Sequence, residues 1–120
     1  MRWLLHSVLC AICMTAAAQA AELLMVEQDG CIYCERWNAE IAPLYPETRE
    51  GRFAPLRRVD VKNLSQEPAL EPKIAFTPTF VLLEDGQEVG RLEGYPGADM
   101  FWVMIGNVMD LSPNYALTDP

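Results

Sequence analysis

Leu23-Leu24-Met25-Val26-Glu27-Gln28-Asp29-Gly30-Cys31-Ile32-Tyr33-Cys34 sets an apolar run, a polar break and a paired cysteine motif in direct succession. Four adjacent apolar residues are the pattern of a short strand buried on both faces. Gln28-Asp29-Gly30 breaks that strand, and a helical stretch opens at about Cys31. Within it Trp37, Ile41 and Leu44 recur at steps of four and three, which stacks them along one helix face towards a core. Pro43 is expected to kink or end this helix near Ala42, because it lacks an N–H and its ring crowds the preceding turn. The charged residues from Glu47 to Arg52 then read as an exterior turn.

Leu56 to Val61 reads as a second strand, although the adjacent Arg57 and Arg58 spoil its alternation. From Asn63 to Ala75, Pro68 and Pro72 leave room for at most a turn or two of helix, with Ser65 as a candidate cap. Thr79-Phe80-Val81-Leu82-Leu83 carries the clearest strand pattern in the chain. Asp85-Gly86 is a hairpin signal, and Glu88 to Glu93 returns as the partner strand. After Gly94-Tyr95-Pro96-Gly97, a final amphipathic helix runs from Asp99 to about Leu111. Phe101, Met104, Ile105 and Val108 form its buried stripe, with Trp102 and Met109 off it. Ser112 to Pro120 reads as a loose tail. The first strand-helix-strand unit should make a right-handed parallel crossover and the hairpin an antiparallel pair. One α/β domain follows, with a four-stranded mixed sheet flanked by helices.

The first twenty residues read as a leader. Arg2 supplies a positive start, Trp3 to Thr15 an apolar stretch, and Ala18-Gln19-Ala20 a small-x-small cleavage pattern. The alternative, a membrane anchor, needs a longer apolar run than this. Cleavage after Ala20 leaves a domain of residues 21–120, exported to an oxidising compartment where a cysteine pair can persist as a disulfide and not embedded in the membrane. It also removes Cys10, Cys13 and His6, the only histidine of the chain. Chemistry in the mature protein must then work without an imidazole. Acidic residues (17 Asp and Glu) exceed basic ones (9 Lys and Arg), and the net charge of -8 excludes a nucleic-acid partner, which needs a cationic surface.

Cys31 stands at the first turn of a helix, where unpaired N–H groups and the positive end of the helix dipole favour thiolate over thiol. A cysteine so placed attacks disulfides without a histidine base. Cys34, three residues on and on the same face, is positioned to resolve the mixed disulfide. Two other uses of the pair stay open. A structural staple closing so small a loop contributes about 2 kcal/mol, less any ring strain. A Cu(I) site takes two soft thiolates, so a metallochaperone module is the competing function, although zinc would want four ligands. Ile32 and Tyr33, between the cysteines, are candidates for an apolar surface offered to a partner. Pro78 directly precedes a buried strand, a place proline tolerates only as its first residue or at a bend. Beside a redox pair of this kind, a cis Thr77-Pro78 bond would present the backbone of Thr77 to an extended substrate segment.

Gly30-Cys31-Ile32-Tyr33-Cys34, the helix with Pro43, Phe76-Thr77-Pro78-Thr79-Phe80 and the Asp85-Gly86 hairpin with Gly90 and Gly94 resemble the thioredoxin superfamily. The resemblance covers nearly all of residues 21–120 and implies a three-layer thioredoxin-like fold and protein disulfide oxidoreductase activity. It implies no cofactor beyond the Cys31-Cys34 disulfide and no metal. More narrowly, Gly30 to Pro46 and Gly94-Tyr95-Pro96-Gly97 resemble the periplasmic thioredoxins of bacterial sulfur-oxidation (Sox) systems. That likeness implies a reductase acting on a disulfide or persulfide of a sulfur-carrier protein and fed by a membrane thiol electron carrier. Several positions depart from ordinary thioredoxins. Gly30 replaces the tryptophan before the first cysteine, Ile32-Tyr33 replaces Gly-Pro, and Met25 stands where a buried carboxylate is usual. Glu27 is the candidate substitute for that carboxylate. Asp29 and Glu35 flank the motif and oppose the helix dipole's pull towards thiolate.

Overall fold

The computed structural model describes residues 21–67, 70 and 73–120; the expected leader and cleavage site within residues 1–20, Pro68 and Pro72 lie outside the described residues. Four strands form one mixed sheet: β1 (Ala21–Glu27), β2 (Leu56–Asp60), β3 (Thr79–Glu84) and β4 (Gln87–Glu93), in the spatial order β2-β1-β3-β4. β1 pairs parallel with β2 and antiparallel with β3, and β3 pairs antiparallel with β4. The uninterrupted apolar run explains the central place of β1, because Leu23 to Val26 are all fully buried with neighbours on both edges and both faces. The β3–β4 hairpin turns at Asp85 (φ 49°) and Gly86 (φ 76°), the pair of positive angles whose twist matches that of the flanking strands.

Alternation along β1 divides the core. Leu23 and Met25 join Phe80, Leu82 and Leu92 beneath helices α1 (Ile32–Glu40) and α3 (Ala98–Met109). Leu24 and Val26 face the other way with Val81 and Leu83. That second face is covered by a 3-10 turn over Val61–Gln66 and by Leu70 and Ile74, so the two longer helices share one side of the sheet. The adjacent arginines of β2 point to opposite faces. Arg57 pairs with Glu22 (2.9 Å) and Glu67, whereas Arg58 pairs with Glu27 (2.6 Å) and lies 5.7 Å from the Trp37 ring. No helix among the described residues is long and apolar enough to cross a membrane.

Several local expectations change. Helix α1 ends at Glu40, before Pro43, so the helical period stops short of Leu44, which is 57% exposed. Tyr45 takes the buried place instead, donating its hydroxyl to the Ala54 carbonyl at 2.7 Å. The charged segment is no simple turn but the short helix α2 (Arg49–Phe53), whose cap Thr48 accepts a bond from the Gly51 N–H at 3.0 Å. Gly51 is required there, since a Cβ would meet the Tyr45 carbonyl oxygen at 1.8 Å. Asp60, not Ser65, caps the 3-10 turn, accepting from the Lys62 N–H at 2.8 Å because it directly precedes the first turn. On α3, Met109 is buried and Met104 is part of the exposed surface, one helical position away from the expected stripe. Trp102 is half-buried and stacks on Tyr45 with ring centroids 6.5 Å apart. The tail is docked as well. Arg49 donates to the Tyr115 carbonyl at 3.0 Å and lies over its ring, and Tyr115 Oη donates to Glu50 at 3.0 Å.

Tyr45→Phe keeps the ring and removes the buried hydroxyl, leaving the Ala54 carbonyl without that donor. The expected loss is about 1–2 kcal/mol, read as a lower urea midpoint at unchanged m-value. An unchanged midpoint would show that the hydroxyl does not hold the α1–α2 connection.

Candidate redox site

Strand β1 delivers the chain to a turn at Gln28–Gly30, in which Gly30 adopts φ 75° and the Cys31 N–H bonds the Gln28 carbonyl at 3.3 Å. Cys31 is the N-cap of α1 rather than its first helical residue, with extended backbone angles (φ -78°, ψ 105°). Its Sγ accepts a bond from the Cys34 N–H at 3.1 Å, the role a serine or aspartate oxygen plays at other helix starts. The local backbone thus aims a free helical N–H at the Cys31 sulfur. Cys31 and Cys34 are joined by a disulfide with Cα atoms 5.2 Å apart.

Cys31 keeps 8% of its surface exposed and Cys34 3%, so the outer cysteine is the first residue of the motif. Both line a polar pocket of about 200 Å³ with Glu27, Gln28, Asp29, Glu35, Asn38 and Asp60. Four carboxylates therefore surround the sulfurs on this side. Glu27 is where a substitute for the missing buried acid would have to be, but it is shared with Arg58 and half-buried, while Met25 is fully enclosed. Arg58 Nη1 also lies 3.5 Å from Met25 Sδ, so the cation that pairs with Glu27 reaches the thioether as well. Asp29 meets Lys62 only at 3.9 Å with both side chains largely in water, an ion pair worth little.

On the other side lies a larger groove of about 490 Å³, lined by Tyr33, Phe76, Thr77, Glu93, Gly94, Tyr95, Pro96 and Met104. Of the sequence-predicted residues, Tyr33 and Thr77 meet in this groove, and Tyr33 is half exposed as expected. The Thr77-Pro78 bond is cis. Gln28 lines both the sulfur pocket and a small pocket that contains Thr77, which joins the two halves of the site. Ile32 is exposed but lines neither the groove nor the sulfur pocket. The sequence reading missed Tyr95 and Met104 as groove residues. Tyr95 is buried and its hydroxyl donates to the Glu40 carboxylate, while the preceding Gly94 N–H bonds the Pro78 carbonyl at 2.7 Å. This pair of bonds ties the end of β4 to both α1 and the Thr77-Pro78 loop. The only signal in the sequence was the glycine–aromatic–proline run itself, which reads as a turn.

A polar N-cap disulfide beside a cis-proline loop, on a four-stranded mixed sheet with this order, defines a thioredoxin-like domain. The family model of a thioredoxin-like domain matches residues 11–108, and the chain belongs to that family and is a thiol-disulfide oxidoreductase. It is similar to the periplasmic thioredoxin SoxS from Paracoccus pantotrophus in its reduced form, with 51% identity over 76% of this chain and 97% of that one and a TM-score of 0.72. Thioredoxin from Fasciola hepatica (19% identity, 74% of this chain and 81% of that one, TM-score 0.54) shares the fold. So does oxidised mitochondrial thioredoxin 3 from Saccharomyces cerevisiae (22%, 73% and 78%, TM-score 0.55). No curated relative matches the chain.

Burial, then the adjacent Glu40 carboxylate, pushes the Tyr95 phenol up from 10.0 to about 12. The folded chain holds this proton more tightly than the unfolded chain does. Its contribution to stability is therefore complete below pH 10.0 and is lost as pH rises towards about 12. Tyr95→Phe is expected to make the alkaline fall in urea midpoint shallower across that window. Equal slopes for the two proteins would remove Tyr95 from the groove's supporting contacts.

Proposed function

We propose that the chain is an exported protein disulfide reductase, with residues 1–20 as a cleaved leader, residues 21–120 as the working domain and the periplasm as its compartment. The observation that carries the reading is the N-cap position of Cys31, the more exposed of two linked cysteines, between an acidic pocket and a groove containing Thr77. In the reduced state the Cys31 thiolate, favoured by the Cys34 N–H and the helix dipole, attacks one sulfur of a substrate disulfide. The other substrate sulfur leaves as a thiolate and takes a proton from water. Cys34 then gives up its proton and attacks Cys31 Sγ, which releases the second substrate thiol and re-forms the Cys31-Cys34 disulfide. With a persulfide, attack on the inner sulfur expels hydrosulfide and gives the same mixed disulfide. Thr77 and Pro78 hold the extended substrate backbone, and Ile32 and Tyr33 contact its side chains.

Each turnover leaves the protein oxidised by two electrons, so an external thiol must reduce it again. The resemblance assigns that role to a membrane thiol electron carrier and the substrate role to a Sox sulfur-carrier protein. The 51% identity to SoxS across almost the whole of that chain supports this assignment over a general one.

Cys34→Ser should accumulate Cys31-linked mixed disulfides with periplasmic proteins, seen as reductant-sensitive bands by non-reducing electrophoresis. Recovery of Cys31 wholly as free thiol from cells carrying that variant would overturn the mechanism. A reduction potential near thioredoxin's, about -270 mV, is expected, whereas one near DsbA's, about -120 mV, would make the protein an oxidant. Amino-terminal sequencing of the exported protein should begin at Ala21.

A further inference from the structure

One buried polar group of the sulfur pocket has no part in the exchange itself. Asn38 lies on α1 one turn after Cys34, and at that i, i+4 spacing a helical side chain leans back over its earlier neighbour. Both residues line the pocket. Asn38 Oδ1 is buried and has no hydrogen-bond partner among the described residues, which deprives the acceptor of the bonds that water would give it. The charged groups nearby are engaged or in solvent. Glu27 on β1 pairs with Arg58 of β2 at 2.6 Å, and Asp60 accepts from the Lys62 N–H at 2.8 Å. The Asp29 side chain is 95% exposed and meets the Lys62 ammonium only at 3.9 Å. Gln28 and Glu35 are exposed as well. Ionised carboxylates have no proton to give, so none of the four can satisfy the amide oxygen.

The oxidised pair carries no S–H, and reduction creates one on Cys34. We propose that Asn38 Oδ1 accepts this S–H in the dithiol form, so that Asn38 holds the resolving cysteine as a neutral thiol while Cys31 carries the charge. A hydrogen bond made only to the neutral form opposes ionisation of Cys34. Two successive helical positions thereby divide the work. The Cys34 N–H favours negative charge on Cys31 Sγ, and Asn38, one turn further on, disfavours it on Cys34. Asn38 takes no proton and forms no covalent bond; it is a positioning residue that acts through Cys34. Being neutral, the amide supplies an acceptor without adding charge to a pocket that already holds four carboxylates. The same bond favours the dithiol over the disulfide, because only the dithiol has a donor for the amide oxygen. This role rests on the reading of Cys34 as the resolving thiol.

The test compares the purified exported protein with Asn38→Ala and Asn38→Asp. In a Cys31→Ser background the carbon-13 resonance of Cys34 Cβ follows ionisation of that thiol alone. Asn38→Ala should raise the Cys34 acid dissociation constant about threefold, the factor that one weak hydrogen bond supplies. Asn38→Asp, whose carboxylate still accepts and adds a like charge, should lower the constant below the wild-type value. With both cysteines present, Asn38→Ala should shift the equilibrium with glutathione about threefold towards the disulfide, or about 14 mV at about 30 mV per tenfold. A merely structural loss would lower the urea midpoints of both redox states alike and leave the dissociation constant and the glutathione equilibrium unmoved. If either stays unmoved in Asn38→Ala, the proposal is overturned and the S–H bonds elsewhere, Cys31 being the nearest candidate. A fall in the constant overturns it too, since the amide N–H would then be donating to the Cys34 sulfur. Reduction of cystamine by wild type is followed in parallel. Its success beside failed Asn38 readings removes only the Asn38 contact, whereas its failure removes the exchange reading and this role together.

Discussion

Enclosure of the Trp37 indole is the contact on which the site depends. Its ring lies 5.0 Å from Phe80 on β3, 5.9 Å from Phe101 on α3 and 6.3 Å from Tyr45, with no surface left to solvent. A helix of nine residues has little stability of its own and takes its place from the face it buries. Trp37 sits on that face one turn after Cys34, so seating the indole sets the height and rotation of α1 and, through them, the Cys31 N-cap above the end of β1. Phe80 and Phe101 hold the ring from the sheet and from the last helix. Residues far along the chain from Trp37 thus determine where two sulfurs near the start of the domain are presented.

The site that results is asymmetric. The disulfide lines a small polar pocket with Glu27, Asp29, Glu35 and Asp60, while Tyr33, between the two cysteines, belongs to a wider groove with an apolar wall completed by Phe76 and Met104. The loop between β4 and α3 joins the two functions, because Tyr95 reaches α1 through Glu40 while Gly94 reaches the Thr77-Pro78 loop through the Pro78 carbonyl. Helix, loop and groove are therefore one connected unit. The ground beneath the site also differs from a buried acid alone. Met25 is enclosed, and the nearest carboxylate on the strand, Glu27, is matched by Arg58 from β2. A paired carboxylate at a half-buried position is held by solvent and by its partner together, in contrast to an isolated acid in an apolar interior.

Much of this architecture was legible along the chain. An apolar run that cannot be solvated on either face determined β1 as a central strand, and Asp85-Gly86 between two strand-like segments determined the hairpin. The spacing of the cysteines across one helical turn, just after a strand and a glycine, determined the redox pair, and Thr77-Pro78 before a buried strand marked the second half of the site. Each of these is a short-range statement: which backbone angles a residue tolerates, or how many faces a segment must hide. Tertiary structure alone decided the rest. It chose Tyr45 over Leu44 for the core because α1 ends before the period reaches Leu44, and it turned Met109 inward and Met104 outward by the rotation of α3 against the sheet. It fastened the tail through Arg49, Glu50 and Tyr115, charged and aromatic groups whose partners lie more than 60 positions away. It also brought Tyr95 to Glu40. Local pattern records how far a residue should be buried, but not which distant residue will bury it, because that depends on how whole elements pack once their local forms are set.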